Sequence, residues 1–132
     1  MDMSERVRAI ILQLTNCLNR HDAEAASKLF AENVLFWEPS YEEPRYGRAA
    51  LRREFEGFFA MLPDIQFTSL TLLANGDHAF HEWRYQATYQ GRPIELRECA
   101  LVRLNAEDLL AEVRIYFDRL SLLQQLGLAP QT

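Results

Sequence analysis

The chain has 132 residues, of which 48% are hydrophobic and 25% are charged, a composition typical of one folded globular domain with its own core. The 19 Asp and Glu residues outnumber the 14 Lys and Arg residues, so the formal net charge is −5. This acidic balance argues against nonspecific nucleic-acid binding, and no apolar run reaches the roughly 20 residues that a membrane-spanning helix needs.

The first residues and the cysteines bear on the compartment of the protein. Residues 1–6 contain no basic segment followed by an apolar one, so the sequence predicts no secretory signal. The two cysteines, Cys17 and Cys99, could form one disulfide at most. We expect them to be reduced, buried thiols in a cytoplasmic protein without membrane association.

Helical periodicity dominates the first half of the chain. Ser4 can cap a first helix, whose apolar stripe consists of Val7, Ile10, Ile11, Leu14 and Leu18. Asp22 can cap a second helix over Ala23 to Ala31, which would pack through Leu29 and Phe30. A third helix is predicted to follow Gly47, and its apolar residues are Leu51, Phe55, Phe58, Phe59 and Leu62.

The second half of the chain is typical of strands. A short strand at 34–37 ends before Pro39, and a polar loop follows at 40–47. The long predicted strands are 65–74, 78–89, 94–104 and 109–117. Asn75-Gly76 between the first two is a strong hairpin signal, so consecutive long strands should pair antiparallel. Asp118 can then cap a closing helix that ends at Gly127.

Helices followed by strands with tight turns indicate an α+β fold. We expect a strongly curved antiparallel sheet, covered on its concave side by three N-terminal helices, with a short C-terminal helix. The chain contains no linker, repeat or low-complexity segment, so residues 1–132 are predicted to form a single domain.

Four segments resemble the nuclear transport factor two-like superfamily, and in particular its SnoaL-like and ketosteroid-isomerase-like branch. They read LNRHDAEAASKLFAENVLFWEP, GRAALRREFEGFFAMLPDI, NGDHAFHEWRYQATYQGRP and IYFDRLSLLQQLG. The resemblance implies a cone-shaped fold. It does not imply one activity, because this fold hosts isomerases, cyclases, dehydratases, epoxide hydrolases and noncatalytic binders.

The resemblance can be followed to individual positions. Glu38-Pro39 matches the place of the proton-shuttling carboxylate of ketosteroid isomerases. The two donors of their oxyanion hole match Leu14 and Ala100, and each lost donor removes roughly 3 kcal/mol of transition-state stabilisation. Where limonene-epoxide-hydrolase relatives carry a catalytic Asp, this chain has Ile115 or a neighbour without a carboxylate. The usual mechanisms of both enzymes are therefore not expected.

Glu38 is the principal candidate for proton transfer. If it faces a cavity, burial would raise its pKa towards neutrality, as a general base or acid requires. The alternative is a strand-end carboxylate in water or one that caps nearby backbone. Tyr41 in the following loop could donate to a substrate oxygen, or it could serve only in packing.

Alternation along the central strands selects the other candidates. His81 and Trp83 share the face predicted to line the cavity, and histidine titrates near neutral pH when unperturbed. The alternative for His81 is a core histidine held by one hydrogen bond. Glu98 is the polar exception on an apolar face of the next strand. It either lines the pocket beside His81, pairs with an arginine across the strands, or turns to solvent at a bulge.

The sequence thus predicts an apolar pocket for a small, ring-containing or polyketide-like organic molecule. Glu38 and His81 would transfer protons without a cofactor, in an isomerisation, cyclisation or dehydration. The predicted pocket residues are Trp83, Glu98, Phe55, Phe59, Val113, Phe117 and Tyr41. No metal-ligand spacing occurs. The alternative is a noncatalytic binding or dimerisation module, and the resemblance implies a homodimer through the sheet.

Overall fold

The computed structural model describes residues 1–131 of the chain, which contain four helices and six strands. The helices are α1 (Met3–Asn19), α2 (Ala23–Ser27), α3 (Arg48–Met61) and α4 (Arg119–Gln125). The strands are β1 (Phe30–Trp37), β2 (Arg45–Tyr46), β3 (Gln66–Asn75), β4 (His78–Tyr89), β5 (Arg92–Leu104) and β6 (Leu110–Phe117). The α+β class predicted from the sequence is confirmed.

The strands form one curved, unclosed sheet in the order β2-β1-β6-β5-β4-β3. The four long strands pair antiparallel with their sequence neighbours, as expected. The sheet is not wholly antiparallel, because β1 pairs parallel with β6. One helix and four strands separate these two strands along the chain, and such a long connection permits parallel pairing. The predicted loop at 40–47 also contains the short strand β2, which pairs with β1.

The structure corrects two helix ends that the sequence predicts, the start of α1 and the end of α2. The first helix is capped by Asp2, whose carboxylate accepts from the Glu5 amide, whereas the Ser4 hydroxyl accepts from the Gly76 amide across the fold. The second helix ends at Ser27, not at Ala31. Phe30 therefore begins β1, where its side chain is buried in the core, instead of extending a helical face.

The predicted starts of the last two helices are confirmed. Gly47 precedes α3, and Asp118 caps α4 by accepting from the Ser121 amide. The β4–β5 hairpin has a two-residue turn, Gln90 and Gly91, in which both residues have positive φ (51° and 77°). Such a turn matches the twist of paired strands, and glycine adopts it without strain.

The helices pack on one side of the sheet, with α1 against β3 and β4 and α3 against β1. The buried side chains form two apolar clusters. The first includes Val7, Ile11, Phe30, Val34, Ala100 and Leu104. The second lies towards the other end of β4 and β5 and includes Leu62, Ile65, Tyr85, Leu96 and Leu126. The polar side chains described next lie between them.

Both cysteines are free, with Cys17 buried and Cys99 half-buried. None of the helices in residues 1–131 is both long enough and apolar enough to span a membrane.

Candidate functional site

The candidate site lies on the helix-covered face of β4 and β5, which we call the interior face. Along β4, the buried residues alternate with more exposed ones, and Ala79, His81, Tyr85 and Ala87 are buried. Along β5, Ile94, Leu96, Glu98, Ala100 and Val102 are buried in the same alternation. The predicted facing of both strands is therefore confirmed, and the polar residues on this face are removed from water.

Four interior residues form a connected polar cluster, comprising Ser69, His81, Trp83 and Glu98. Nε2 of His81 lies 2.8 Å from the Ser69 hydroxyl, and the His81 ring packs on Trp83 with centroids 5.1 Å apart. Nε1 of Trp83 donates to Oε1 of Glu98 at 3.1 Å, across a directly paired position of β4 and β5. Of the alternatives for Glu98, the structure selects the interior orientation, with an indole as partner instead of an arginine.

Burial separates the pKa values of the two titratable groups in this cluster. It raises the pKa of Glu98 to about 8; the Trp83 hydrogen bond opposes the shift and repulsion by Glu38 adds to it. Burial also lowers the pKa of His81 to about 4. At neutral pH, His81 is therefore neutral and most Glu98 is protonated. The interior group that titrates near neutral pH is Glu98, not His81.

Tyr85 adjoins this cluster on β4, two residues after Trp83. It is 1% exposed, and its hydroxyl has no hydrogen-bond partner among residues 1–131. Its ring packs against Phe58 and Phe67, with centroid distances of 6.3 and 6.0 Å. Burial raises the pKa of the Tyr85 phenol, and the charges of Glu98 and Glu38 raise it further. Tyr85 therefore remains a protonated donor at neutral pH.

Glu38 lies at the end of β1, in a half-buried group that also contains Tyr41, Arg45 and Glu54. Burial raises the pKa of Glu38, opposed by a hydrogen bond of 3.2 Å from the Ser40 amide to its Oε1. Repulsion by Glu54 adds to the rise, whereas Arg45 lowers the pKa. Glu38 is thus neither a fully hydrated nor a fully buried carboxylate.

Tyr41 packs edge-on against Phe36 at 6.0 Å, and the Arg45 guanidinium lies 3.7 Å from the Tyr41 ring centre. Arg45 also donates to Glu54 at 2.7 Å. Burial raises the pKa of the Tyr41 phenol, and the Glu54 charge raises it further. Tyr41 consequently has both a packing role and a protonated hydroxyl beside Glu54.

The remaining predicted pocket residues are spread over both apolar clusters. Phe55 packs against the first cluster and Val113 belongs to it. Phe59 and Phe117 pack against the second, where Phe59 stacks on His21 at 5.0 Å. Phe55, Phe59 and Phe117 are half-buried, so water reaches part of each ring.

Electrostatics connect only some of the predicted proton-transfer groups. The charge of Glu38 acts on both Glu98 and Tyr85. The shift of the His81 pKa, in contrast, is caused by burial. The charge of Glu38 therefore influences the pKa of Glu98, whereas the side-chain hydrogen-bond partner of His81 is Ser69.

Sequence reasoning missed Ser69, Tyr85, Arg45 and Glu54. Alternation places Tyr85 on the interior face, so its position could be predicted although its lack of a partner could not. Ser69 faces His81 next to an irregularity in the β3–β4 pairing between Ser69 and Thr71, which no sequence signal marks. The contact of Arg45 with Glu54 joins a loop strand to a helix, and no short-range pattern predicts it.

Two open depressions in the described part of the chain lie elsewhere. One, of about 430 Å³, is lined by Ala31, Glu32, Asn33, Arg48, Asn105, Glu107 and Leu109. The other, of about 240 Å³, is lined by Asp64, Gln66, Gln86, Ala87 and Thr88. None of the predicted site residues lines either depression. Among residues 1–131, no group of three or more His, Cys, Asp or Glu side chains could hold a metal ion.

Comparison with known proteins identifies related domains. A sequence profile of the SnoaL-like domain matches residues 11–113. No curated protein matches the chain significantly.

Solved structures share the fold over nearly the whole chain. A candidate polyketide cyclase from Acidithiobacillus ferrooxidans has 24% identity and a TM-score of 0.83, covering 98% of this chain and 100% of the other. AclR, a candidate hydroxylase from Streptomyces galilaeus, has 21% identity and a TM-score of 0.83, covering 99% of this chain and 90% of the other. A protein from Catenulispora acidiphila with a ketosteroid-isomerase-like fold was solved in complex with trimethylamine. It has 20% identity and a TM-score of 0.80, covering 91% of this chain and 93% of the other.

Proposed function

Since the chain belongs to the family of SnoaL-like domains, we propose that its interior face binds a small, mainly apolar organic molecule and transfers protons within it without a cofactor. The ligand would contain a ring or a polyketide-like chain. Structural neighbours described as candidate polyketide cyclases and as an epoxide hydrolase/cyclase-like enzyme of pyran-ring formation support this ligand class. The reaction would be an isomerisation, a cyclisation or a dehydration.

The observation that carries the proposal is a set of titratable groups in an apolar, aromatic environment. Glu98 and His81 are 9% and 7% exposed, and their pKa values are displaced in opposite senses by burial. Perturbed groups of this kind are enriched at functional sites, because catalysis needs acids and bases with adjusted pKa values.

Half-buried aromatic rings support a route by which a ligand would reach the interior face. Phe55 and Trp83 pack against the first apolar cluster, and Phe59 and Phe117 pack against the second, yet all four rings retain contact with solvent. Large aromatic side chains supply contact area and stack on ring systems. We therefore propose that the ligand enters between α3 and the sheet, where displacement of these packed rings would admit it.

Glu38 is proposed as the principal base. It is half-buried, and its pKa is raised mainly by burial, so it is a stronger base than a hydrated carboxylate. The Ser40 amide hydrogen bond to Oε1 orients the carboxylate. His81 is proposed as the second proton-transfer group. Because it is neutral at pH 7 and hydrogen-bonded to Ser69, it would act as a proton acceptor or hydrogen-bonding group and not as an acid.

A proton-exchange assay tests the proposal directly. In D₂O, the protein is expected to accelerate deuterium exchange at the acidic C–H bonds of 2-tetralone, a bicyclic ketone, as followed by ¹H NMR. Glu38→Gln should reduce the rate by about 10²- to 10⁴-fold, the usual contribution of a general base. Glu43→Gln, which removes an exposed carboxylate from the same loop, is the matched control. Equal rates for wild type and Glu38→Gln would contradict the role of Glu38.

The second candidate is a noncatalytic binding module of the same fold. The observation in its favour is that Leu14 and Ala100 occupy the positions where the resemblance implies oxyanion donors, and neither can donate from its side chain. Binding of 2-tetralone without accelerated exchange would support this alternative.

We also propose a homodimer through the outer face of the sheet, the face opposite to the interior face. Leu73, Leu101 and Tyr116 are exposed on this face next to several ion pairs, a mixture of apolar and charged groups that suits an interface. Sedimentation equilibrium of the wild type and of Leu101→Glu tests it. A dimer that Leu101→Glu dissociates is expected, and a monomeric wild type would contradict it.

A further inference from the structure

Two interior side chains carry oxygen atoms with free hydrogen-bonding capacity among the described residues, and one of these atoms, the Tyr85 hydroxyl, is buried without a partner. The Tyr85 hydroxyl has no hydrogen-bond partner within residues 1–131, although the residue is 1% exposed. Glu98 is 9% exposed and accepts one hydrogen bond, from Trp83 to Oε1. Buried polar groups in native proteins are nearly always paired, so an unpaired one requires an explanation.

The two side chains lie side by side. Trp83 pairs directly with Glu98 on the neighbouring antiparallel strand, and Tyr85 pairs with Leu96. Tyr85 and Glu98 are therefore diagonal neighbours on one face, a relation in which side chains are about 7 Å apart and both can reach one small group between them. Consistent with this proximity, the Glu98 charge contributes to the raised pKa of Tyr85.

Both side chains are donors at neutral pH. The phenol of Tyr85 is protonated, and burial keeps most Glu98 in its neutral form, with one O–H group. The charged side chain that acts on Glu98 is Glu38, another carboxylate, which further disfavours ionisation. Two neighbouring O–H donors in apolar surroundings are complementary to an oxygen acceptor.

We propose that Tyr85 and Glu98 form a subsite that holds an oxygen atom of the ligand, either a carbonyl oxygen or a phenolic or enolic oxygen. The inference rests on the proposed function and specifies its ligand class. A purely hydrocarbon ligand would leave both donors unpaired and would bind less well. The subsite does not coincide with Leu14 and Ala100, the positions to which the resemblance assigns donors.

The test compares two probes of similar shape, 2-naphthol and 2-methylnaphthalene, which differ in the oxygen atom. Dissociation constants are measured by titration calorimetry at pH 7. Tyr85→Phe is expected to weaken 2-naphthol binding about five- to tenfold, the effect of one lost hydrogen bond, and to leave 2-methylnaphthalene binding within about twofold. Tyr116→Phe, on the outer face of the same sheet, should change neither.

Glu98 is tested with two variants. Glu98→Gln keeps an N–H donor and should retain 2-naphthol binding within about threefold, whereas Glu98→Leu should weaken it about five- to tenfold. The thermal midpoint of Tyr85→Phe should equal or exceed that of the wild type, because the hydroxyl lacks a partner in the protein. A lower midpoint would show that the hydroxyl has such a partner and would overturn the proposal.

The outcomes separate the subsite from the proposed function. If both probes bind but Tyr85→Phe weakens neither, or both equally, the oxygen subsite is wrong while the apolar binding face stands. If neither probe binds the wild type, the binding face itself is wrong and the subsite fails with it. Selective loss of 2-naphthol binding in Tyr85→Phe and Glu98→Leu supports both.

Discussion

Glutamate and histidine residues occur on both faces of β4 and β5, but their surroundings differ between the two faces. On the interior face, Glu98 is buried beside an indole and its pKa rises to about 8. On the outer face, Glu95 lies 3.3 Å from Arg84, and the Glu95 side chain is 51% exposed. One residue type, three positions apart on one strand, is therefore a neutral acid on one side and a member of a hydrated ion pair on the other.

The histidines of β4 repeat this contrast. His81 is buried against Trp83, and burial lowers its pKa to about 4. His78 is exposed and lies 2.6 Å from Asp77. The difference shows that alternation along a strand does more than separate apolar from polar residues. It decides which titratable groups are buried and so acquire the displaced pKa values that proton transfer can use.

The largest expected effect concerns Glu98 and pH. Its pKa is raised from 4.5 to about 8 in the folded state, so its contribution to stability is fully present below pH 4.5 and is lost as pH rises through 8. The wild type should lose roughly 3–5 kcal/mol of unfolding free energy across this range through Glu98. Urea denaturation at pH 5 and pH 8.5 should show a much smaller loss for Glu98→Gln. Glu95→Gln, on the outer face, should lose as much unfolding free energy between these pH values as the wild type. An unchanged pH dependence in Glu98→Gln would contradict the difference between the two faces.

His81 should have the opposite effect on stability, which it lowers as the pH falls. Its pKa is lowered from 6.5 to about 4, so stability is lost as pH falls from 6.5 to 4 because the unfolded chain binds the proton more readily. The expected loss is roughly 2–3 kcal/mol. His81→Gln should remove most of it in denaturation curves at pH 4 and pH 6.5. His78→Gln is the matched variant and should retain the loss; the same flattening in both variants would contradict a specific effect of burial.

The Trp83 hydrogen bond should have a smaller effect, on the pKa of Glu98 itself. The indole donor stabilises the carboxylate form, so its removal should raise the pKa further. In Trp83→Phe, the Glu98 pKa measured by ¹³C NMR is expected to rise by about one unit. Trp37→Phe, which alters a ring that packs against Tyr116, is the control. A lower Glu98 pKa in Trp83→Phe would mean that water enters and hydrates the carboxylate.

The smallest effect is expected on the outer face. Arg103 lies 3.3 Å from Glu112, and both side chains are about one-third exposed. Solvent screens such pairs, so Arg103→Gln should cost no more than about 1 kcal/mol, and the cost should shrink in 1 M NaCl. A salt-independent loss of several kcal/mol would show that this pair is desolvated and that the two faces differ less than described.

The sequence predicted the parts of the fold that depend on local patterns. Alternation correctly placed His81 and Glu98 on the interior face, and Asn75-Gly76 correctly marked a hairpin. Three other features depend on long-range packing: the early end of α2 at Ser27, the parallel pairing of β1 with β6, and the short strand β2. Such tertiary contacts override local propensity and leave no short-range signal.

The site was less predictable than the fold, for a reason visible in its titratable groups. Residue type suggested that His81 would titrate near neutral pH, but a pKa is set by burial and neighbours. Those conditions place Glu98 in that range instead. The missing partner of Tyr85 is likewise a property of packing around one atom. Alternation could identify the face, but not the chemistry of each group on it.

The most direct test of the account is the titration of Glu98 in the wild-type protein. The Cδ resonance of Glu98, assigned by comparison with Glu98→Gln, is followed by ¹³C NMR from pH 3 to pH 10. A midpoint near 8 is predicted, which would make Glu98 an acid that retains its proton at neutral pH. A midpoint between 4 and 5, the range of a hydrated glutamate, would contradict the account.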